Sequence, residues 1–275
     1  MQVLMATSAG HPGRSNEDFV GAVPGAVVLL DGAGIPGSES LCHHGTAWYA
    51  HRLGGSLLGC LSSDDGRDLR SILAEAIEGV ADAHRDTCEL GHPSSPQATV
   101  AVVRLVGDRV EYLMLADSHL LIGAPGDSPV VITDVREDMV QRSCQQQLVG
   151  LVAGTQAHDA ALASAATQVR ARRNQPDGYW IAKDDPLAAE HAVTGVVPVA
   201  AGTHLALLSN GVTRLVTAYG LSTWASLLDA CRTQGPAEVL RLLRDHESGQ
   251  STIDGAVLPM DDATIALWTL SGPAG

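Results

Sequence analysis

Apolar runs of strand length come in adjacent pairs joined by tight-turn residues, and this pairing constrains the fold more than any other feature. The runs ATVAVVRLV (98–106) and RVEYLMLAD (109–117) flank a Gly-Asp dipeptide, which is a hairpin signal. The runs LLIGAP and PVVIT form a second pair around another Gly-Asp dipeptide at 126–127. Strands joined by such short turns are antiparallel. The pattern therefore predicts antiparallel sheets, and not the strict strand–helix alternation of a parallel α/β fold.

The remaining periodic segments also group by type, which predicts an α+β fold with helix pairs packed outside the sheets. Further strands are predicted at 2–8, 26–31, 195–200, 203–209 and 263–270. Helices are predicted at about 38–61, 67–90, 155–173, 212–219, 222–233 and 236–247. The segments 92–97 and 246–255 are predicted loops. No segment has the composition of a free linker, so we expect a single domain over residues 1–275 with an inserted subregion at about 136–190.

The charge balance excludes several classes of partner. The 275 residues include 17 Lys and Arg against 31 Asp and Glu, for a formal charge of −14. Such a surface repels phosphate backbones and anionic lipids, so we expect neither a nucleic-acid nor a membrane partner. No apolar run reaches the ~18–20 residues that span a bilayer, and the first residues have no basic start typical of a secretion signal. With five scattered cysteines, the chain is expected to be cytoplasmic and to keep its thiols reduced.

Four clusters containing acidic residues lie at the predicted strand ends or in the loops beside them. They are RSNED at 14–18, Asp-Gly at 31–32, Asp-Ser at 117–118 and Asp-Asp at 261–262. Any one of them is most simply a turn residue, because Asp-Gly pairs are common in turns. Together they suggest a metal site, because several carboxylates held close to one another stay charged only when a cation joins them. Oxygen-only ligands favour Mg²⁺ or Mn²⁺.

Five segments in order along the chain resemble the metal-dependent protein phosphatases, also called the protein phosphatase 2C family, of bacterial type. The segments are GRSNED (13–18), VVLLDGAG (27–34), LADSHLLIG (115–123), LALLSNGV (205–212) and DDATIAL (261–267). The resemblance spans most of the chain. It implies a four-layer α-β-β-α sandwich of two antiparallel sheets flanked by helix pairs, with a metal site at one edge.

The resemblance also implies ligands for two Mn²⁺ or Mg²⁺ ions. Asp31 would bridge the two ions, Gly32 would offer its backbone carbonyl, and Asp261 would hold the second ion. Glu17 and Asp18 would hold metal-bound waters. A hydroxide bridging the two ions would then be the nucleophile, so that no side chain becomes covalently modified.

The resemblance implies roles for further residues. Asp117 would serve a third, weaker ion. Arg14 would grip the phosphate, since a guanidinium pairs bidentately with it. Residues 136–190 fall where family members carry a mobile flap, which makes Arg172 and Arg173 candidates for substrate contact; the alternative is an ordinary surface helix and turn. Asp262 stands where the family often has Asn and is the weaker ligand candidate.

Three departures from the family pattern bear on activity. Asn210 replaces an aspartate that would ligate the second ion, so it offers an oxygen without a charge. Arg14 lies one residue farther from the acidic pair than is usual. Ala33 stands where some members have a histidine as a general acid.

Three other kinds of site were weighed against the metal site. Residues 32–37 match GxGxxG, but a proline lies inside the motif and an aspartate precedes it, which disfavours a dinucleotide. Cys42, His43 and His44 with His51 suggest zinc, although partly buried helix residues are the simpler interpretation. Ser8, Ser118 and His119 raise a nucleophilic triad, but no GxSxG elbow is present.

The sequence is thus expected to encode a Mn²⁺- or Mg²⁺-dependent phosphatase whose substrate is phosphoserine or phosphothreonine in a protein. Two alternatives stay open. Asn210 leaves room for a regulatory or binding protein with the phosphatase fold and little activity. The substrate class also leaves room for a small phosphorylated metabolite. The substrate's identity, the opposing kinase and the oligomeric state are not encoded in any pattern of the sequence.

Overall fold

The computed structural model describes residues 2–34, 41–63, 65–249 and 260–270. Within them, two five-stranded antiparallel sheets pack face to face, and helices cover their outer faces. The predicted α+β class, with two antiparallel sheets flanked by helices, is confirmed.

The strands follow the pattern predicted from the sequence closely, apart from β2, which was not predicted, and two short strands. They are β1 Gln2–Ser8, β2 Phe19–Val23, β3 Ala26–Leu30, β4 Gly32–Ala33, β5 Gln97–Ala98, β6 Val100–Val106, β7 Arg109–Leu115, β8 His119–Gly123, β9 Val130–Ile132, β10 Val193–Pro198, β11 His204–Leu208 and β12 Ala263–Thr269. Both predicted hairpins form, β6 with β7 and β8 with β9. One five-stranded sheet has the strand order β1-β12-β11-β8-β9, and the other has the order β10-β7-β6-β3-β2. The short strands β4 and β5 pair with each other.

Seven α-helices and two 3₁₀ helices lie in the described parts of the chain. The α-helices are α1 Gly45–Ser62, α2 Leu69–His84, α3 Arg136–Gln145, α4 Gln156–Ala171, α5 Asn210–Thr217, α6 Trp224–Thr233 and α7 Pro236–Gly249. The 3₁₀ helices are Gln146–Leu148 and Pro186–His191. Helices α1 and α2 cover one sheet, and α5, α6 and α7 cover the other. None of the described helices is long and apolar enough to cross a lipid bilayer.

Strand β3 is buried on both faces, which explains its uninterrupted apolar sequence. Successive side chains of a strand point to opposite faces. Val28 and Leu30 therefore join the core beneath α1 and α2, while Val27 and Leu29 join the core between the two sheets. The residue that follows, Asp31, is held at the edge of the sandwich by a strand with no freedom to slide.

Two predicted helix boundaries are wrong. In both places, residues that were expected to lie within a helix lie in turns beside it. Helix α1 was expected from about residue 38, yet residues 41–44 form turns and the helix begins at Gly45; Ser38–Ser40 lie outside the described residues. Gly45 has a φ of +78°, which ends any continuous helix into α1 from the preceding segment. Helix α2 was expected to continue to residue 90, but it ends at His84. Most of the predicted 246–255 loop lies outside the described residues, and α7 continues to Gly249.

Candidate active site

The acidic clusters meet at one edge of the sandwich, where several strands of both sheets begin or end. Asp31 follows β3, Asp117 follows β7 and Asp261 precedes β12. Asp18 precedes β2, and Asn210 begins α5 directly after β11. Each side chain is thus placed by a strand that the hydrophobic core fixes, which is how a fold holds polar groups rigidly.

Asp31 is the centre of a hydrogen-bond network that joins the two sheets. Its Oδ2 accepts a hydrogen bond of 2.9 Å from the backbone N–H of Asn210. The backbone N–H of Asp31 donates to the hydroxyl of Thr99 over 3.2 Å, and that hydroxyl lies 2.6 Å from the hydroxyl of Ser118. The side chain of Asp31 is therefore held from the α5 side, and its backbone is held from the β5–β6 side.

The carboxyl groups raise one another's pKa. Burial raises the pKa of Asp31 well above its usual value, and the charges of Asp18, Asp261 and Asp117 raise it further. Burial is also the main cause that raises the pKa of Asp18 to about 7. The hydroxyls of Thr264 and Ser209 oppose this shift, although no described group has hydrogen-bond geometry to either carboxylate oxygen of Asp18. A cluster of this kind is short of positive charge at neutral pH.

Asp262 holds the loop before β2 against β12. Its Oδ1 accepts a hydrogen bond of 2.7 Å from the N–H of Gly10, and its Oδ2 accepts one of 2.6 Å from the N–H of Glu17. Both oxygens are thereby engaged by backbone. This arrangement places the Glu17 side chain and leaves Asp262 as a positioning residue, in line with its weaker candidacy as a ligand.

Two glycines allow the segments of the site to approach closely. A Cβ on Gly32 would lie 2.4 Å from the carbonyl oxygen of Glu17, and one on Gly211 would lie 2.0 Å from the carbonyl oxygen of Asp262. Real Cβ atoms do not approach oxygen so closely, so any other residue would push the segments apart. The glycines of the Asp-Gly and Asn-Gly pairs therefore serve packing at this edge.

Asp117 occupies a strained turn between β7 and β8. The preceding residue, Ala116, has a φ of +62°, in the left-handed region that favours glycine. The amide Nδ2 of Asn210 donates a short hydrogen bond to Oδ2 of Asp117. Burial raises the pKa of Asp117, while the bond from Asn210 lowers it. Asn210 thus binds a neighbouring carboxylate, a contact that an aspartate at this position would not make.

The site opens into a cleft of about 740 Å³. The predicted residues that line it are Arg14, Glu17, Asp31, Gly32, Asp117, Arg173, Asn210 and Asp261. Asp18 and Arg172 are not among the lining residues; Asp18 is buried behind the cleft, and Arg172 is exposed and pairs with Asp177. Arg173 contacts the Tyr179 hydroxyl, while Arg14 is exposed on the loop that leads to Glu17.

The donor set fits hard divalent ions. The side chains offer carboxylate oxygens from Asp31, Asp117 and Asp261 toward one cleft, with Asp18 behind them. The mutual rise in pKa is the electrostatic cost that a bound cation would remove. Asn210 and the Gly32 carbonyl would add uncharged oxygens, which Mg²⁺ and Mn²⁺ also accept.

Sequence reasoning missed residues that surround the acids. The Arg214 guanidinium lies 2.6 Å from Oδ2 of Asp261, and Arg244 donates to the Asp261 carbonyl over 2.7 Å. Glu137 of α3 lines the cleft, and burial raises its pKa to about 8. Arg214 could have been identified from the sequence, because it follows Asn210 by four residues on one helix and therefore lies near the same face of that helix. Arg244 and Glu137 carry no comparable signal.

His51 of the alternative zinc site, and Ser118 and His119 of the alternative triad, have other partners. Nε2 of His51 lies 3.2 Å from the carbonyl oxygen of Asp18, away from Cys42 and His44. The Ser118 hydroxyl is buried against Thr99, and the His119 ring stacks on Trp224. Of the GxGxxG match, residues 35–37 lie outside the described residues.

Known structures with the same architecture are bacterial serine/threonine phosphatases of the metal-dependent (PPM) type. The Mycobacterium tuberculosis serine/threonine phosphatase PstP is 16% identical, with a TM-score of 0.60 and 98% of each chain covered. The catalytic domain of PstP in complex with two manganese ions has a TM-score of 0.57 and 16% identity, covering 97% of this chain and 96% of that one. A bacterial serine phosphatase has a TM-score of 0.61 and 13% identity over the full length of both chains.

No protein-family profile matches the chain, and no curated protein sequence matches it. At identities of 13–16%, the structural matches show the fold alone. The chain has the fold of the PPM phosphatases, and the resemblance seen in its five segments is confirmed at that level.

Proposed function

We propose that the chain is a Mn²⁺- or Mg²⁺-dependent phosphatase that acts on phosphoserine or phosphothreonine of proteins. The observation that carries the proposal is the convergence of Asp31, Asp117 and Asp261 on one cleft, with mutually raised pKa values. We further propose that residues 1–275 form one phosphatase-like domain, with residues 136–190 as the flap beside the cleft.

The bound ions would supply Lewis-acid activation of water and neutralisation of the phosphoryl oxygens. Asp31, the Gly32 carbonyl and Asp261 would hold the two ions, with Asn210 as an uncharged ligand. Glu17 and Asp18 would accept hydrogen bonds from waters bound there, and Asp117 would serve a third, weaker ion. The N–H of Asn210 fixes one Asp31 oxygen, so the other is available to an ion.

The chain's own residues would select and orient the substrate. Arg14 lies on the exposed rim, where its guanidinium would pair with phosphate oxygens. Arg173 would provide a second positive charge from the flap side of the cleft. The floor of the cleft is acidic, so a substrate would be recognised through its phosphate and the segment around it. Among proteins that share the fold, PstP is a serine/threonine phosphatase and PppA of Pseudomonas aeruginosa is a key regulatory component of T6SS.

The test is hydrolysis of p-nitrophenyl phosphate, of a phosphothreonine peptide and of small phosphorylated metabolites, with Mn²⁺ and with EDTA. We expect Mn²⁺-dependent turnover that falls by at least about 10²-fold in Asp31→Asn, on the scale of removing one transition-state contact. Asp229→Asn is the matched control, because Asp229 is an exposed carboxylate on α6 that pairs with Arg232.

The comparison of substrates tests the substrate class, and the activity of the wild type tests whether the chain is an enzyme. Turnover of the peptide at a higher kcat/KM than small phosphorylated metabolites supports the protein substrate, and the reverse order supports a metabolite. An inactive wild type that gains activity in Asn210→Asp would overturn the enzymatic proposal and favour a regulatory protein.

A further inference from the structure

Two cysteines and two histidines outside the acidic site converge at the junction of the turns before α1 and the end of α2. They are Cys42, His44, His84 and Cys88, and one potential ligand atom from each lies within 4.8 Å of all the others. The two wrong helix boundaries described above hid this cluster, since continuous helices would have kept the residues apart. In the fold, Cys42 and His44 precede α1, and His84 and Cys88 flank the end of α2.

We propose that this cluster is a Cys₂His₂ zinc site. The Sγ atoms of Cys42 and Cys88 lie 3.2 Å apart, and Nδ1 of His44 lies 3.8 Å and 3.4 Å from them. Zinc at about 2.3 Å from sulfur and about 2.0 Å from nitrogen, in tetrahedral geometry, requires ligand separations of roughly 3.3–3.8 Å. The separations among Cys42, His44 and Cys88 are close to these values before any adjustment, and the His84 ligand atom lies within 4.8 Å of the other three.

His84 supplies a second, independent observation. The residue is only 3% exposed, and its Nδ1 has no hydrogen-bond partner among the residues that the structure describes. A buried polar atom without a partner costs free energy, so such atoms in proteins usually contact a ligand, an ion or a water. Burial lowers the pKa of His84 and of His44, which keeps both imidazoles neutral and able to donate a lone pair.

Sequence spacing and donor type agree with zinc. The ligands form two close pairs, Cys42-x-His44 and His84-x₃-Cys88, as in many structural sites, although the first pair is tighter than usual. Thiolate and imidazole favour zinc over Mn²⁺ or Mg²⁺. Binding would release one proton from each thiol to water, so that two thiolates balance the charge of Zn²⁺.

A disulfide between the two cysteines explains the cluster less well. It would require the sulfur atoms to approach to about 2.05 Å, from 3.2 Å, and it would leave both histidine rings without a role. His43 is a poorer ligand candidate than His44, because its Nδ1 lies 4.0 Å from the Cys88 sulfur and its ring packs on His44.

The site would fix one wall of the proposed catalytic cleft. Cys42 and His44 both line that cleft, together with Gly32 and Ala33. The backbone N–H of Glu89 donates to the carbonyl of Leu41 over 2.9 Å, so the two ligand pairs are already joined by backbone. Zinc would lock this junction, while the acidic residues of the cleft bind a different class of ion.

The test uses Co²⁺ as a spectroscopic probe of the reduced, metal-free protein under anaerobic conditions. We expect an intense thiolate-to-cobalt charge-transfer band and tetrahedral d–d bands that saturate at one Co²⁺ per chain and are reversed by Zn²⁺. The charge-transfer band should weaken strongly in Cys88→Ser. It should be unchanged in Cys60→Ser, which alters a half-buried cysteine of α1 outside the cluster, and in Asp31→Asn, because oxygen ligands give no such band.

A reduced wild type without the charge-transfer band would overturn the proposal, as would an undiminished band in Cys88→Ser. Reduced protein that binds no Co²⁺ but readily forms a Cys42–Cys88 disulfide would replace the zinc site with a redox pair. If Cys88→Ser does not fold, His44→Asn serves instead, with an expected loss of Co²⁺ affinity and a shifted d–d spectrum. Because these readouts do not depend on turnover, they are independent of the proposed phosphatase activity.

Discussion

The guanidinium of Arg214 forms an ion pair with the carboxylate of Asp261, with 2.6 Å between Nη2 and Oδ2. Asp261 is the candidate ligand for the second ion, so a permanently charged side chain already occupies one of its oxygens. Asn210, four residues earlier on α5, has lost the charge that an aspartate would bring. Both features reduce the negative charge available to that ion.

Removing the charge of Arg214, which competes with the metal ion for the Asp261 carboxylate, should strengthen metal binding. We expect Arg214→Gln to lower the Mn²⁺ dissociation constant by about tenfold, equivalent to about 1.4 kcal/mol, and Asn210→Asp to add a comparable gain. Isothermal titration with Mn²⁺ measures both. Arg232→Gln is the matched control, because Arg232 forms an exposed pair with Asp229 on α6. Unchanged or weaker Mn²⁺ binding in Arg214→Gln would mean that the ion pair supports the site rather than competing with it.

Asp262 is expected to act through the Glu17 loop. Asp262→Ala removes two acceptors that the N–H groups of Gly10 and Glu17 use. Charge-assisted bonds of this kind contribute about 1.5–3 kcal/mol each, so the loss of both should lower the free energy of unfolding by roughly 3–6 kcal/mol. Asp262→Asn keeps one acceptor and should lose about half as much. Urea denaturation in EDTA provides the measurement, and equal losses in the two variants would contradict this assignment.

Ala116 is expected to be a site where glycine stabilises the protein. Its φ of +62° costs an alanine about 1–2 kcal/mol, which outweighs the ~0.5–1 kcal/mol of extra chain entropy that glycine loses on folding. Ala116→Gly should therefore raise the free energy of unfolding by about 0.5–1 kcal/mol in thermal or urea denaturation. Ala74→Gly, in the middle of α2, is the control and should lower it by about 1 kcal/mol. A loss of stability in both variants would show that the turn is not strained.

The pKa of Asp18 predicts how the metal-free protein responds to pH. The folded value is about 7, whereas an unfolded aspartate titrates near ~3.9. The folded state therefore holds a proton that the unfolded state has lost, and stability falls as pH rises between these values. In EDTA, Asp18→Asn should remove this loss, a difference of roughly 2–4 kcal/mol between pH ~4 and pH ~7. Parallel stability curves for wild type and variant would contradict the shift. Mn²⁺ should bind more tightly as pH rises, because it displaces the same proton.

Arg172 and Arg173 are neighbours in the proposed flap, so substituting each in turn gives a matched comparison. Arg173 lines the cleft, whereas Arg172 is exposed and pairs with Asp177. We expect Arg173→Ala to raise KM for a phosphopeptide by about tenfold, the loss of one charged contact, and Arg172→Ala to change it less than twofold. Steady-state kinetics decides between them. Similar effects of both substitutions would place substrate contact elsewhere on the flap.

The sequence predicted the sheets well because their signal is local. Alternating and continuous apolar runs mark β6, β7 and β8, and two glycine-containing turns fix the hairpins. The acidic residues at strand ends were also identifiable, since the core that fixes the strand fixes the residue after it. Contacts between residues far apart in the sequence could not be predicted. No local pattern indicates that Asp262 accepts a hydrogen bond from the N–H of Glu17, which is 245 residues away.

The Cys and His cluster shows a second limit of prediction from the sequence, which is the position of helix ends. Cys42 and His44 were considered as zinc ligands, but His51 was weighed as their partner because a helix was expected to carry all of them. The turn at Gly45 and the end of α2 at His84 break that continuity and bring Cys88 across the gap. Helix ends depend on tertiary contacts, and an error of a few residues there changes which side chains can meet.

The burial of β3 on both faces sets limits on how a protein of this kind can diversify. A change in side-chain volume at Val28 or Leu29 would have to be absorbed by a close-packed core, so the strand that positions Asp31 can tolerate little variation. The helix α4, by contrast, buries only Ala165. Evolutionary variation would therefore be tolerated most readily in segments such as α4, while the strand that holds Asp31 stays constant.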